Sequence, residues 1–268
     1  MRYKLVGRSG LRVSELSLGT MTFGEDWGWG ASREESLKQY TAFRDAGGNF
    51  FDTANFYTKG TSEIYLGEFM KEHRDEAVIA TKYTLFNKHG EPNASGNHRK
   101  NMVHSIEKSL KRLQTDYIDL YYLHIWDFTT PIDEILRGLD DLVRQGKILY
   151  IGISDTPAWE VSRMNMMAEL RGWSQFVAYQ LEYSLIQRTP ERDMIPMANH
   201  TDMAVAVWAA LAGGALTGKY LTQNDDPKRI KEGSTRVNER SSKIAQEVVN
   251  VATAIGCSPA QVAINWVR

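Results

Sequence analysis

The chain has 268 residues, 42% of them hydrophobic and 24% charged, with a formal net charge of −1. That length allows one large domain or two ordinary ones, and the near-zero charge gives no electrostatic case for a nucleic-acid or membrane partner. A single cysteine, Cys257, excludes an internal disulfide and makes no zinc site, so no metal centre is expected. It reads as a buried small residue. The start, Met1-Arg2-Tyr3-Lys4, has no apolar leader, and no run approaches the roughly 18 apolar residues of a membrane span. A cytoplasmic protein is the expectation.

Residues 1–15 predict a hairpin, with Gly7-Arg8-Ser9-Gly10 as its turn. Leu16 to Thr20 is the first core strand. Ser32 is an N-cap, with Glu35 completing a capping box, and the helix runs to Gly47-Gly48. The pattern then repeats. Strands are predicted at 49–53, 77–81, 118–123, 148–153, 176–180 and 203–208. Helices fall at 61–72, 101–113, 131–145, 157–171 and 190–200. Pro131 reads as a first-turn residue. The polar loop Asn87 to Arg99 is long for a compact domain and therefore functional or mobile. A second polar stretch, Thr222 to Ser242, is expected to be a mobile loop. A helix over about 240–255 and another from Ser258-Pro259 follow.

Seven strands alternating with helices predict an α/β chain with a parallel sheet. Their regular spacing favours a (β/α)8 barrel, a single domain over 1–268 behind its N-terminal β-hairpin. An open dinucleotide-binding sheet would carry Gly-x-Gly-x-x-Gly after its first strand, and no strand exit here does. A barrel needs eight strands. Seven leave two unpaired edges, so the sequence reads as C-terminally incomplete.

Chemistry in such a barrel collects at the C-terminal strand ends. Asp52 ends the strand carrying Phe50-Phe51, and Tyr57 lies in the next loop. Lys82 and His124 end two later strands. A phenol holds its proton at neutral pH, with a solution pKa of about 10. An ammonium nearby favours the phenolate. Lys82 can supply that charge, Asp52 can hold Lys82, and His124 can bind a substrate oxygen or relay a proton. Taken singly, each has a plain alternative: a structural salt bridge, a satisfied polar histidine, a loop aromatic. The weight comes from four compatible groups at one barrel end.

The sequence resembles the aldo-keto reductases over nearly its whole length. The matching parts are Phe51-Asp52-Thr53-Ala54 with Tyr57, Ser62-Glu63, Leu66-Gly67, Ile79-Ala80-Thr81-Lys82, and Ser109-Leu110-Lys111-Arg112-Leu113. Asp116-Tyr117-Ile118-Asp119-Leu120 with Leu123-His124, Ile151-Gly152-Ile153-Ser154, Leu216-Thr217-Gly218-Lys219-Tyr220 and Ser258-Pro259-Ala260-Gln261 continue it. The resemblance implies a catalytic tetrad of Asp52, Tyr57, Lys82 and His124, with Tyr57 the proton donor. It also implies a nicotinamide dinucleotide, usually NADPH, with NADH left open because the segment that binds the 2′-phosphate in this family is not among these residues. Ser154 and Gln180 match positions that hydrogen-bond the carboxamide. Asp155 stands where many members have asparagine, and an ionised carboxylate only accepts. Trp208 matches the ring that stacks on nicotinamide, with core packing as its plain alternative. Leu211, Gly213 and Lys219 lie on the loop expected over the pyrophosphate, where glycine permits close backbone approach.

The resemblance thus implies an NADPH-dependent oxidoreductase reducing aldehydes or ketones, with a small-molecule carbonyl substrate. Trp27, Trp29, Tyr83, Trp126 and residues 86–98 are the expected pocket lining. Potassium-channel β subunits resemble the same family, so a cofactor-binding regulatory subunit is the rival reading. An inactive shortened form is a third. A homo-oligomer stays open.

Overall fold

The computed structural model describes residues 1–86, 88, 90–222, 229–230 and 234–268. The hairpin forms between β1 (Tyr3–Leu5) and β2 (Arg12–Ser14), antiparallel, with Tyr3 opposite Ser14. β1 is exposed, but Val6 and Val13 turn inward and join Phe50, Val78, Leu120 and Val177 in one apolar cluster. Gly7 permits this approach. Its φ is +51°, and a Cβ there would meet the carbonyl oxygens of Asp202 and Val177 at 2.5 Å.

Seven strands then build one sheet in sequence order. They are β3 (Leu18–Gly19), β4 (Phe50–Asp52), β5 (Val78–Tyr83), β6 (Ile118–Leu123), β7 (Ile148–Ser154), β8 (Phe176–Glu182) and β9 (Ala204–Trp208). Between them come α1 (Arg33–Asp45), α2 (Thr61–Met70), α3 (Arg99–Leu113), α4 (Ile132–Arg144), α5 (Ala158–Arg171) and α6 (Met194–His200). From β3 to β7 each strand pairs in parallel with the next. Every residue of β5 and β6 is buried, as a parallel sheet covered on both faces requires. The helices seat on it by apolar faces. Tyr40 and Phe43 of α1 pack their rings on Phe51 of β4 at 4.9 and 5.4 Å. Ile132, Ile135, Leu136, Leu139 and Leu142 form the buried face of α4, at helical spacing. This α/β architecture fits a (β/α)8 barrel, seven of whose strands lie among the described residues.

The contacts divide the chain into two compact units, Met1–Tyr179 with Met197–Ala204, and Gln180–Pro196 with Val205–Arg268. The second contains a 3-10 turn at Ala212–Thr217, α7 (Glu239–Ile255) and α8 (Pro259–Val267), with Ala212, Leu216, Val248 and Ala263 in its core. Among the described residues, no helix is long and apolar enough to cross a membrane.

Several local expectations are corrected. Ser32 accepts the Glu35 N–H, but the Glu35 carboxylate takes Lys38 Nζ at 2.9 Å, so the capping box is half made. Pro131 and Pro157 have extended ψ (135° and 142°) and are N-caps outside their helices. The helix expected at 190–200 begins only at Met194, because Pro196 is tolerated in a first turn and not further along. α3 starts at Arg99, with the His98 ring accepting the Asn101 N–H. Cys257 is partly exposed rather than buried. Of the stretch expected to be a mobile loop, 223–228 and 231–233 lie outside the described residues, as do Asn87 and His89 of the earlier polar loop. Asn238 and Ser241 cap each other reciprocally at the start of α7.

α2 and α3 meet at Gly67, where a Cβ would lie 2.6 Å from the Arg112 carbonyl oxygen and 2.7 Å from Leu113 Cα. Alanine improves helix propensity by about 1 kcal/mol, but overpacking costs about 1–3 kcal/mol, and here the obstacle is backbone. Gly67→Ala is expected to lower stability by about 1–2 kcal/mol. Denaturant unfolding checks the sign; a gain would mean that the helices can part freely.

Candidate active site

Four of the expected residues come together in the first unit. Asp52 is the last residue of β4, Lys82 lies near the end of β5, and His124 directly follows β6. The sheet register aligns them, with Asp52 opposite Ala80 and Lys82 opposite Tyr122. Tyr57 opens the 3-10 turn Tyr57–Gly60. Lys82 is fully buried. Its Nζ donates to Asp52 Oδ1 at 2.5 Å, to the Thr53 carbonyl at 2.7 Å and to Tyr57 Oη at 3.4 Å. An ammonium has three donors, and each has an acceptor. The His124 ring stands edge-on to Tyr57, centroids 5.8 Å apart.

The electrostatics follow from burial. Desolvation alone would pull the Lys82 ammonium down, but the Asp52 carboxylate and the Tyr57 oxygen more than offset it, and Lys82 sits above its ordinary value. For Tyr57 burial is the largest influence and pushes the phenol up. Lys82 pulls back, Asp52 pushes up, and the phenol ends above 10.0. The acidifying effect of Lys82 is therefore present but outweighed in this state. Tyr57 holds its proton firmly at neutral pH. His124 is lowered to about 3, first by burial and then by Lys82. Although the residue keeps some accessible surface, its Nδ1 is enclosed and has no hydrogen-bond partner among the described residues. A neutral imidazole offers one donor and one acceptor. At neutral pH His124 is a hydrogen-bonding group and not a cationic acid.

Two aromatic groups adjoin these residues along the chain. Trp27 packs on Trp29 and Phe56, with centroids at 5.6 and 5.5 Å, and Phe56 on Phe86 at 4.8 Å. Trp126 packs on Phe128 and Trp159 at 4.3 and 5.7 Å. Tyr83, expected in the lining, is wholly buried instead. It stacks on Tyr121 and its hydroxyl donates to the Asn97 carbonyl. Asn97 lay within the expected lining 86–98, but sequence reasoning missed Asp127 and the pairing by which the two clasp the loops after β5 and β6. Asn97 N–H donates to Asp127 Oδ2, Asp127 N–H to Asn97 Oδ1, and Asn97 Nδ2 to Thr84 Oγ1 and the Ile125 carbonyl, all at 2.7–2.9 Å. Burial pushes the Asp127 carboxyl up, but the donors from Asn97, Thr130 and Thr129 win and hold it at about 2.

The expected cofactor residues divide between the units. In the first, Ser154 ends β7 with its Oγ buried and without a partner among the described residues. Asp155 is exposed, in the left-handed region at φ 40°. In the second, Gln180 is buried on β8. Trp208 ends β9 with the Arg236 guanidinium 5.9 Å from its ring, and Arg236 pairs with Glu182 at 2.7 Å. The Leu211 carbonyl accepts the N–H groups of Gly214 and Leu216. Gly213 and Gly214 have φ of 69° and 97°, and Lys219 Nζ lies 5.7 Å from the Tyr220 ring.

Residues 15–268 match the family model described as the Aldo/keto reductase family. An aryl-alcohol dehydrogenase [NADP(+)] of Phanerodontia chrysosporium is 42% identical over 92% of this chain and 69% of its own length. A norsolorinic acid reductase of Aspergillus flavus is 40% identical over 94% of this chain and 68% of its own. An aldo-keto reductase of Emericella nidulans is 41% identical over 95% and 70%.

The lowered His124 has a measurable consequence. The unfolded side chain takes a proton near 6.5, the folded one only near 3. The unfolded state therefore binds the extra proton between these values, and stability falls as pH drops through that window. The His124 ring resonance in NMR is expected to stay in its neutral position throughout it; a midpoint near 6.5 would refute the enclosure of the ring.

Proposed function

The chain belongs to the aldo/keto reductase family and is an oxidoreductase, and on that premise we propose that it reduces aldehydes or ketones to alcohols with NADPH. What supports this reading above all is the Lys82 ammonium, held by Asp52 at 2.5 Å and placed 3.4 Å from a phenol that keeps its proton. Bound NADPH supplies a hydride to the carbonyl carbon. Tyr57 is the proposed donor of the proton that the carbonyl oxygen then needs.

The residues divide this work. A carbonyl oxygen gaining negative charge draws the Tyr57 proton, and the phenolate left behind is stabilised by Lys82. That is the moment when the ammonium is worth most, because the charge it opposes is new and Lys82 itself is shut away from solvent. Asp52 keeps Lys82 charged and aimed. His124, neutral, donates a hydrogen bond to the same oxygen and orients the carbonyl. Its lowered value counts against a proton relay through imidazolium.

For the dinucleotide, Ser154 fits best. Its buried hydroxyl has no partner among the described residues, which is costly, and an amide supplied by a ligand would relieve it. Gln180, Trp208, Leu211, Gly213 and Lys219 are proposed to complete cofactor binding, with Asp155 beside Ser154, on the family resemblance and on 1–268 as one barrel domain. The choice of NADPH over NADH leans on a relative named for NADP(+). The rings of Trp27, Phe56, Phe86, Trp126 and Phe128 favour flat apolar carbonyl compounds, in keeping with a relative named for aryl alcohols. A cytoplasmic setting is part of the same proposal.

Tyr57→Phe is expected to cut turnover of an aromatic aldehyde by about 10²–10⁴-fold, the range of a lost general acid. NADPH binding, followed by fluorescence, should stay near normal. Undiminished turnover would remove Tyr57 from the mechanism.

A further inference from the structure

Behind the tetrad lies an ion pair with no part in the chemistry above. Glu63 of α2 is fully buried. Its Oε2 lies 2.8 Å from Arg112 Nη1, and its Oε1 accepts from Thr81 Oγ1 at 2.6 Å. The same Arg112 nitrogen donates to the Asn55 carbonyl at 2.9 Å. Thr81 immediately precedes Lys82, and Asn55 lies two residues before Tyr57. One carboxylate and one guanidinium therefore tie together the segments that carry the ammonium and the phenol. Gly60 makes the space, since a Cβ there would stand 2.7 Å from the guanidinium carbon.

The segment so tied is strained. Thr58, Lys59 and Gly60, the three residues after Tyr57, all have positive φ, at 45°, 55° and 100°. A β-branched residue in that region is an outlier, and such backbone persists only where its surroundings over-determine it. Thr58 is pinned on one side, its Oγ1 donating to the Phe23 carbonyl at 2.6 Å and accepting the Ser62 N–H at 3.0 Å. Arg112 pins the chain just before Tyr57, at the Asn55 carbonyl, with its guanidinium packed over Gly60. Stability alone gives little reason for the pair, because a buried salt bridge is often no better than apolar packing of the same volume. What apolar packing would lack is a planar nitrogen, Nη1, whose two N–H groups have fixed directions and reach a carboxylate and a carbonyl at once.

We propose that the Glu63–Arg112 pair is a positioning device that holds the strained turn after Tyr57 and so keeps the phenol beside Lys82. Neither residue touches the reacting groups; both act through Asn55 and Thr81. The inference rests on Tyr57 as proton donor.

Two variants test it. Arg112→Lys keeps a cation beside Glu63, and with it the charge balance of the fold, but loses the planar group and its fixed N–H directions. Arg112→Ala leaves a cavity that added guanidinium can refill. With NADPH and an aromatic aldehyde, Arg112→Lys is expected to lower kcat by about tenfold to a hundredfold, the scale of an ångström misplacement. KM and NADPH affinity should move by less than about twofold. Guanidinium should restore kcat to Arg112→Ala without raising that of the wild type. The deciding readout needs no turnover: the ring resonance of isotope-labelled Tyr57, assigned by its loss in Tyr57→Phe. It is expected to shift in Arg112→Lys. An unmoved resonance in a folded variant overturns the proposal, as does a kcat within about twofold of wild type. Should the wild type reduce no aldehyde, the reductase reading fails, and the Tyr57 resonance still decides the role of the pair.

Discussion

A fully buried ammonium has to be surrounded by acceptors, and Lys82 dictates where they stand. Taking one charge out of water costs several kcal/mol even after relaxation. That cost is offset only if Asp52, the Thr53 carbonyl and Tyr57 Oη all reach Nζ. The register of β4 against β5 brings the first two within reach. A slip by one residue would turn Lys82 to the other face of its strand and strand the charge. The chemistry and the strand pairing are thus one constraint. The turn that delivers the third acceptor is the costly part, which is why it is braced from behind.

The site carries one fixed positive and one fixed negative charge, and the two groups proposed to touch substrate are neutral. Burial makes them so. It lifts the Tyr57 phenol and depresses the His124 imidazole, so each keeps to its uncharged form across the neutral range. Water would blur both roles, since a solvated histidine shares its proton with solvent near pH 6.5. An ammonium beside a protonated phenol is a reserve of stabilisation that is called on only when negative charge appears.

Much of this was legible in the sequence. Apolar runs ending in Asp52, Lys82 and His124 marked the strand ends, because the middle of a parallel strand is buried on both faces and charge is placed near its ends. Helix edges were legible to within a residue or two, the limit set where Pro131 fits a cap as well as a first turn, except for α6, which begins at Met194 rather than at 190. Periodicity could not show that Tyr83 points inward at Tyr121 rather than into a pocket. That depends on which face of β5 meets α3. Glu63 and Arg112 stood within the matched motifs, but they are 49 residues apart, and their pairing is a property of helix packing. The Asn97–Asp127 clasp left no sequence signal, since two polar loop residues look alike whether solvated or interlocked.

That clasp also divides one loop from the rest of the molecule. Thr84 and residues 96–97 are joined at its base, the Gly96 N–H meeting the Thr84 carbonyl at 2.8 Å and the Asn97 amide meeting the Thr84 hydroxyl. Thr84 and Gly96 thus stand side by side as one latched doorway. As a general rule of loop closure, lengthening a segment whose ends are held together costs only about 0.6 kcal/mol per doubling. New specificities could be grafted there, cassette by cassette, with the machinery at Lys82 left undisturbed.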